Sequence, residues 1–134
     1  MPTKIYVNLP VKDLARSTEF FNKLGFSFDE RFSNDQAGCL IISDDIYAML
    51  LVEPFFQGFA KKEIADTSKV VEVLIALSVD SRDEVDDLAD KALAAGAGYT
   101  EEPEDHGFMY ARSFTDLDGH GWQILFMEPS HIQQ

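Results

Sequence analysis

An internal repeat is the sequence feature that most constrains the fold of this 134-residue chain. The segment IYVNLPVKD at 5–13 matches VLIALSVDS at 73–81. The two halves also end alike, because MLLVEP at 49–54 can be superposed on ILFMEP at 124–129. Repetition of this kind indicates two copies of one supersecondary unit.

An amphipathic helix is predicted after each of the two matching segments. In the second half, apolar residues recur at the i, i+3, i+4, i+7 and i+8 spacing of one helix face, and Ser81 with Glu84 forms a capping box. In the first half, Asp13 is predicted to cap the helix. Gly25 and Gly96 can adopt the left-handed conformation that ends helices. The apolar face of the second helix consists of Val85, Leu88, Ala89, Ala92 and Leu93.

Strand-like runs follow each helix: FSFDERF, AGCLIIS and IYAMLLVEP in the first half, and AGYTEEP, FMYARSF and GWQILFMEP in the second. The repeated unit is therefore predicted to be βαβββ, and the fold class α+β. Two such modules, each with a helix on one face of its sheet, are expected to form a larger curved mixed sheet around a cleft. The expected divisions are module one at about 1–53, a linker or flap at about 54–70, module two at about 71–129 and a tail at 130–134.

Strand alternation predicts which side chains face the cleft. In the first strand Val7, Leu9 and Val11 should pack on the helix, which leaves Tyr6 and Asn8 for the cleft. A slip of one residue in register would invert such an assignment. The same parity, with Ala48 placed over Gln123 by the repeat, adds Ala48, Leu50, Leu74, Ala76, Gln123 and Leu125 to the cleft.

The segment PFFQGFAKKEIADTSKV between the modules has no counterpart after the second one. Its residues Phe55, Phe56 and Phe59 suggest a short helix or flap that covers the cleft or meets a second subunit. A linker of this length that simply buries apolar surface on the domain is an equal alternative.

Charge and composition narrow the classes of partner. Eleven Lys and Arg against 24 Asp and Glu give a formal net charge of -13, which repels nucleic acid and anionic lipid. No apolar run reaches the roughly 18 residues of a membrane span, and the start MPTKIYVNLP lacks a signal-peptide pattern, so a cytoplasmic location is expected. The single cysteine, Cys39, is interpreted as a buried core residue rather than a reactive thiol.

Three motifs carry a resemblance to a known family: NLPVKDLARSTEFFNKLGF, IALSVDS and FTDLDGHGWQILFMEP. With them the chain resembles the glyoxalase, bleomycin-resistance and extradiol-dioxygenase superfamily, also called vicinal oxygen chelate (VOC) proteins. Within it, the sequence is most similar to the bacterial subgroup of predicted lactoylglutathione lyases. The resemblance covers essentially the whole chain and implies the fold more firmly than a reaction. It also implies a homodimer with shared cleft walls.

The resemblance further implies where a metal would bind. In metal-dependent members each half supplies two ligands, usually His, Glu or Gln, one from its first strand and one from its last. Carried over through VKDL, IALSVD and FTDLDGHGW, these positions fall on Tyr6, Leu74 and Gln123, with Ala48 as the first-half counterpart by the repeat. Only Gln123 is a usual metal ligand, through its neutral amide oxygen. Leucine and alanine side chains have no donor atom, and a tyrosine binds metal well only as a phenolate, which forms far above neutral pH. The four-ligand site is predicted to be absent, and no cofactor is expected.

The histidines offer no HxxxH or HxH spacing that would place two of them on one face. His106 is the preferred cleft histidine, because its loop leads into the strand that carries Tyr110 and Arg112. A new catalytic site built from these three around a metal-free cavity stays open. His120 and His131 are interpreted as surface or structural residues.

Three functions are compatible with these observations. The first is a metal-free protein of the resistance or sequestration type, which binds a small apolar or aromatic molecule with hydrogen bonds from Gln123, Tyr6 and Asn8. The second is a glyoxalase I-like lactoylglutathione lyase, which would need a divalent metal on the unusual ligands Gln123 and His106. The third is a dimerising interaction protein whose cleft is filled by its own side chains. Whether the chain is an enzyme is left open, and an extradiol dioxygenase is disfavoured because its ferrous site needs two histidines and a carboxylate.

Overall fold

A computed structural model describes residues 3–132 of the chain. The chain folds into two compact units, Met1–Asp66 and Thr67–Gln134. Their boundary falls inside the segment 54–70 that the repeat leaves between its two copies. The order of elements is therefore given for each unit separately.

The first unit contains β1 (Ile5–Val11), α1 (Leu14–Lys23), β2 (Ser27–Phe28), a 3-10 turn (Glu30–Phe32), β3 (Ala37–Ser43), β4 (Ile46–Val52) and α2 (Glu53–Gln57). The second contains β5 (Leu74–Ser78), α3 (Arg82–Ala94), β6 (Gly98–Tyr99), β7 (Glu104–Asp105), β8 (Met109–Thr115), β9 (Gly121–Met127) and α4 (Pro129–Ile132). The predicted βαβββ order is present in both units, and the second unit adds the short strand β7.

Each unit has its own mixed sheet. In the first, the strand order is β1-β4-β3-β2, with β1 and β4 parallel and the other neighbours antiparallel. In the second, the order is β5-β9-β8-β6, with β7 also paired to β8 and only β5 and β9 parallel. The α+β class predicted from the sequence is confirmed.

The helix ends follow the sequence signals. The Asp13 carboxylate accepts the backbone N–H three residues on at 3.1 Å, and the Ser81 hydroxyl does the same for the N–H of Glu84 at 3.1 Å. These side chains satisfy N–H groups that have no partner inside the helix. Gly25 and Gly96 follow the two helices with φ of +103° and +108°, so both adopt the left-handed conformation expected of them.

Gly38 identifies the face of the first sheet that packs against α1. It pairs with Leu50, and a Cβ atom on Gly38 would lie 3.2 Å from Cδ1 of Leu14 in α1. Ala48 lies two residues before Leu50 in β4 and so shares this face. Both residues are fully buried. The prediction that Ala48 and Leu50 line a cleft is therefore wrong.

The physical reason is the composition of β4. Its sequence IYAMLLV is apolar on both faces, so alternation carries no signal there and only the superposed EP dipeptides indicate a register. That superposition is off by one residue.

Buried residues of the first unit include Leu9, Val11, Phe20, Phe21 and Leu40, and those of the second include Val85, Ala89, Phe114, Trp122 and Ile124. Cys39, in β3, is 1 % exposed, and burial raises the pKa of its thiol. The interpretation of Cys39 as a core residue is confirmed. No helix among residues 3–132 is long and apolar enough to cross a membrane.

Candidate functional site

A pocket of about 380 Å³ opens on the sheet of the second unit. Its floor is a row of three residues in register across neighbouring strands, Ala76 of β5, Gln123 of β9 and Ser113 of β8. Leu74 lies on the same face at the start of β5 and is 75 % exposed. Leu74, Ala76 and Gln123 therefore share one face of the sheet, and their role in binding stays a prediction.

Gln123 is the polar side chain at the centre of this floor. It is half-buried, and within residues 3–130 no group forms a hydrogen bond with its side-chain amide. The neighbouring Ser113 hydroxyl is hydrogen-bonded to the hydroxyl of Thr100 at 2.6 Å. Because an amide carries two N–H donors and a carbonyl acceptor, Gln123 presents unused hydrogen-bonding capacity to the pocket.

At the other end of the pocket, an imidazole and a carboxylate are in contact. Nδ1 of His120 is hydrogen-bonded to Oε1 of Glu72. The His120 side chain is 1 % exposed and that of Glu72 is 22 % exposed, so only the carboxylate reaches the pocket surface appreciably. Of the two interpretations of His120, a surface residue or a structural one, its buried position fits the structural one.

The turn that carries His120 is organised by Asp116. One oxygen of the Asp116 carboxylate accepts the backbone N–H groups of Asp118 at 2.9 Å and His120 at 3.1 Å, and the other accepts the indole N–H of Trp122 at 3.0 Å. Burial raises the pKa of Asp116, and the nearby His120 and these donors oppose that rise. The Thr67 hydroxyl donates to the carbonyl of Asp118 at 2.5 Å, which ties the segment before β5 to the turn.

Sequence reasoning missed several of these pocket residues. Glu72, Thr67, Thr100 and Glu101 lie in loops next to β5 and β6, and no spacing rule connects them with the turn at His120. The resemblance of DLDGHGW to the family motif was the one signal near this region. It marked the turn but carried no information on what packs against it.

Tyr110 and Arg112 face the helix rather than the pocket. The Tyr110 hydroxyl donates to Asp86 of α3 at 2.5 Å, and Nη1 of Arg112 donates to Asp86 at 3.1 Å and Asp90 at 2.8 Å. The hydrogen bond to Asp86 raises the pKa of Tyr110. Gln123 pairs with Ser113, the residue after Arg112 in β8, and both point to the opposite face. The cleft prediction for Tyr110 and Arg112 is wrong, because the alternation of side chains along β8 places both on the face that contacts α3.

Leu125 lies two residues beyond Gln123 in β9 and shares its face, where it pairs with Ser78 and Ala111. It does not line the pocket.

Tyr6 and Asn8 lie on the face of the first sheet opposite α1. Tyr6 stacks on Tyr47, with ring centroids 4.9 Å apart, and remains 48 % exposed. The Asn8 amide donates to the Tyr6 carbonyl at 3.3 Å. Both side chains therefore lie on the side of the sheet away from α1, and their place in a cleft and their binding role stay predictions.

The predicted flap contains a short helix, α2, followed by the exposed Phe59. Phe55 packs edge-to-face on Phe59 with centroids 5.2 Å apart. Phe56 and Phe59 border a groove that also contains Asn8. The flap aromatics therefore lie at the Asn8 face of the first unit.

Strand pairing corrects the counterpart of Gln123. Gln123 pairs with Ala76, the repeat places Ala76 over Asn8, and Asn8 pairs with Met49. Met49, rather than Ala48, is therefore the structural equivalent of Gln123. The EP dipeptides mislead because one residue more separates Gln123 from its EP than separates Met49 from its own.

The four positions at which the family resemblance would place a metal are then Tyr6, Met49, Leu74 and Gln123. A leucine supplies no ligand, and the thioether of methionine suits soft ions rather than the divalent ions that an oxygen-chelating site uses. These residues do not fit a metal centre of that kind. In the described part of the chain, no group of three or more His, Cys, Asp or Glu side chains is arranged to hold an ion.

The fallback metal pair is not brought together. His106 is exposed, its Nε2 lies 3.8 Å from a Glu104 oxygen, and its backbone N–H donates to the carbonyl of Met109. Gln123 pairs with Ser113, which lies four residues beyond Met109 in β8. Four residues correspond to about 13 Å of strand. A single ion cannot bridge that separation. The side chain of His131 lies outside the described residues.

Comparisons with known proteins agree with this architecture. A hypothetical protein from S. aureus is 29% identical, with a TM-score of 0.78 and coverage of 94% of this chain and 95% of that one. A glyoxalase/bleomycin resistance protein/dioxygenase family enzyme from Burkholderia phytofirmans PsJN is 20% identical, with a TM-score of 0.76 and coverage of 91% and 96%. The fosfomycin resistance protein FosX from Mesorhizobium loti is 15% identical, with a TM-score of 0.71 and coverage of 100% and 99%.

None of the curated proteins matches the chain in sequence. The sequence profile of the Glyoxalase/Bleomycin resistance protein/Dioxygenase superfamily matches residues 5–124, which span both units. The repeat, the two mixed sheets and this match lead to one conclusion: the chain belongs to the Glyoxalase/Bleomycin resistance protein/Dioxygenase superfamily.

Proposed function

We propose that the pocket of the second unit binds a small molecule with an apolar or aromatic body and at least one polar group, without a metal ion. The protein would then act by sequestration, as in the resistance branch of its superfamily. The volume of about 380 Å³ lies within the range of small-molecule sites.

The observation that carries this proposal is the unpartnered amide of Gln123. The amide is half-buried and still reached by water, because its polar atoms are not among fully buried atoms without a partner. A ligand that offers a hydroxyl, carbonyl or amine to Gln123 replaces that water and gains about 0.5–1.5 kcal/mol from the hydrogen bond. Leu74 and Ala76 beside it provide an apolar wall for the rest of the ligand.

The residues at the metal positions argue against the lyase alternative. A lactoylglutathione lyase of the glyoxalase type polarises its substrate with a divalent ion, and neither Tyr6, Met49, Leu74 and Gln123 together nor His106 with Gln123 fits such an ion. The name of FosX refers to resistance to fosfomycin. That name supports small-molecule binding as a class of function and does not identify the ligand here.

A ligand screen tests the proposal. Tag-free protein is screened against small aromatic compounds by thermal shift, and hits are measured by calorimetry with wild type, Gln123→Ala and Arg112→Met. Gln123→Ala should weaken binding about tenfold through the lost hydrogen bond. Arg112→Met changes the opposite face of the same sheet and should leave affinity unchanged. A screen without hits, or equal affinity in all three proteins, would contradict the proposal.

Metal analysis tests the metal-free part separately. Metal content is measured on the purified protein, which is then titrated with nickel, zinc and manganese while thermal stability is recorded. We expect no stoichiometric ion and no stabilisation. Close to one ion per chain, lost in Gln123→Ala, would instead favour the lyase and make a glyoxalase assay the next experiment.

The expected homodimer and cytoplasmic location belong to the same proposal. The dimer is implied by family membership. Light scattering on the protein as it elutes from a size-exclusion column measures the mass of the assembly directly.

A further inference from the structure

The ionisable side chains that line the pocket of the second unit, among the described residues, are the carboxylates of Glu72 and Glu101 and the imidazole of His120. Glu72 precedes β5 and Glu101 follows β6, and no lysine or arginine is among the described residues that line the pocket. Glu101 is exposed, and within residues 3–130 its carboxylate forms no ion pair or hydrogen bond. Its negative charge is therefore not compensated by the protein.

His120 does not reverse this sign. Its ring is hydrogen-bonded to Glu72. If the imidazole is protonated, the pair is neutral, and if it is not, the pair carries one negative charge. With Glu101 added, the pocket has a net charge of minus one or minus two in either protonation state.

The arginines of the second unit are engaged elsewhere. Nη2 of Arg82 lies 2.8 Å from Asp105, and Arg112 pairs with Asp86 and Asp90 on α3. The chain as a whole carries a formal charge of -13. A concave surface lined by one sign of charge raises the local concentration of ligands of the opposite sign.

We propose that this pocket selects small organic cations: an ammonium group joined to a compact apolar body. The ammonium lies toward Glu101, and the apolar body lies on Leu74 and Ala76. This inference rests on the proposed function, because it names the ligand class of the same pocket. It also predicts discrimination against anions of the same shape.

Three probes that each carry one tetrahedral group on a benzene ring test the inference on the full-length protein: phenyltrimethylammonium, tert-butylbenzene and benzenesulfonate. The first two differ only in the atom that carries the methyl groups and hence in charge. At low ionic strength, phenyltrimethylammonium should bind about fivefold more tightly than tert-butylbenzene, and benzenesulfonate more weakly than either.

Substitution of the free carboxylate locates the effect. Glu101→Gln should weaken phenyltrimethylammonium binding about threefold and leave tert-butylbenzene binding unchanged, since one partly screened charge is removed without a change of shape. Glu102→Gln is the matched control, because Glu102 is the next residue and does not line the pocket. This control should bind both probes like wild type.

The outcomes separate the two proposals. If tert-butylbenzene binds as tightly as phenyltrimethylammonium, the pocket binds small molecules but the cation inference is overturned. If Glu101→Gln and Glu102→Gln weaken cation binding equally, the selectivity comes from net charge rather than from the pocket, and the inference is again overturned. If no probe binds and the aromatic screen yields no hit, both proposals fall.

Discussion

Gly119 shows how strongly single positions are constrained around the pocket. Its φ is +82°, and a Cβ atom there would lie 2.4 Å from Oγ1 and 2.9 Å from Cβ of Thr67. Gly107 has nearly the same φ, +81°, but open space around the missing Cβ. A substitution at Gly107 therefore introduces backbone strain alone, whereas one at Gly119 adds steric overlap with Thr67.

Alanine at these positions should have unequal effects. Gly107→Ala should lower the free energy of unfolding by about 1 kcal/mol through the positive φ alone. Gly119→Ala should cost about 1–3 kcal/mol more, because Thr67 must move and its hydrogen bond to the turn is disturbed. Urea denaturation of both variants measures the difference. Equal losses would show that Thr67 yields without cost.

Asp116 should make stability depend on pH in an unusual direction for a carboxylate. Burial raises its native pKa above the ordinary 3.8, so the native state binds this proton more tightly than the unfolded state. The stabilising contribution is complete below 3.8 and is lost as pH rises through the native pKa.

Wild type should therefore gain stability relative to Asp116→Asn as the pH is lowered from about 7 to about 4. Urea denaturation of the two proteins across this range gives the difference directly. A difference that stays constant, or that shrinks on acidification, would show that the hydrogen bonds from Trp122 and the backbone outweigh burial.

At the scale of elements, α3 is attached to its sheet by polar as well as apolar contacts. The Arg112 side chain is 16 % exposed and reaches two carboxylates of the helix, whereas Lys91 pairs with Asp87 on the solvent side, with 49 % of its side chain exposed. The two cations contact the same helix in different environments.

Arg112→Met should lower the free energy of unfolding by about 1 kcal/mol, because it removes two charge-assisted bonds from a guanidinium whose side chain is only 16 % exposed. Lys91→Met should cost no more than about 0.5 kcal/mol, as is usual for exposed pairs one helical turn apart. Thermal and urea denaturation measure both. Similar losses in the two variants would show that solvent screens Arg112 as well.

Periodicity predicted the elements better than their registers. The helices after Asp13 and Ser81 were correct because capping residues and amphipathic spacing are local signals. The face of β4 was wrong because the strand is apolar on both sides, and that error carried Ala48 into the cleft in place of Met49. Glu72 and Thr67 were missed for a different reason: their partners lie about 50 residues away, and only the folded chain shows such contacts.

At the scale of the whole molecule, the net charge of -13 opposes compaction. Raising NaCl from about 10 mM to about 300 mM should increase Tm by a few degrees, because screening weakens the repulsion among exposed carboxylates. Differential scanning calorimetry measures the shift, and KCl at equal ionic strength controls for a specific effect of sodium. No shift in either salt would show that the ion pairs already balance the repulsion.

The single cysteine and the single tryptophan are both buried, and they lie in different units: Cys39 in the first and Trp122 in the second. A thiol reagent can modify Cys39 only when the structure around it opens, so the rate of labelling counts openings of the first repeat. The fluorescence of Trp122 follows the environment of the second. Thiol labelling therefore reports on one repeat and tryptophan fluorescence on the other. Comparing the two rates shows whether the repeats open independently or unfold as one cooperative unit.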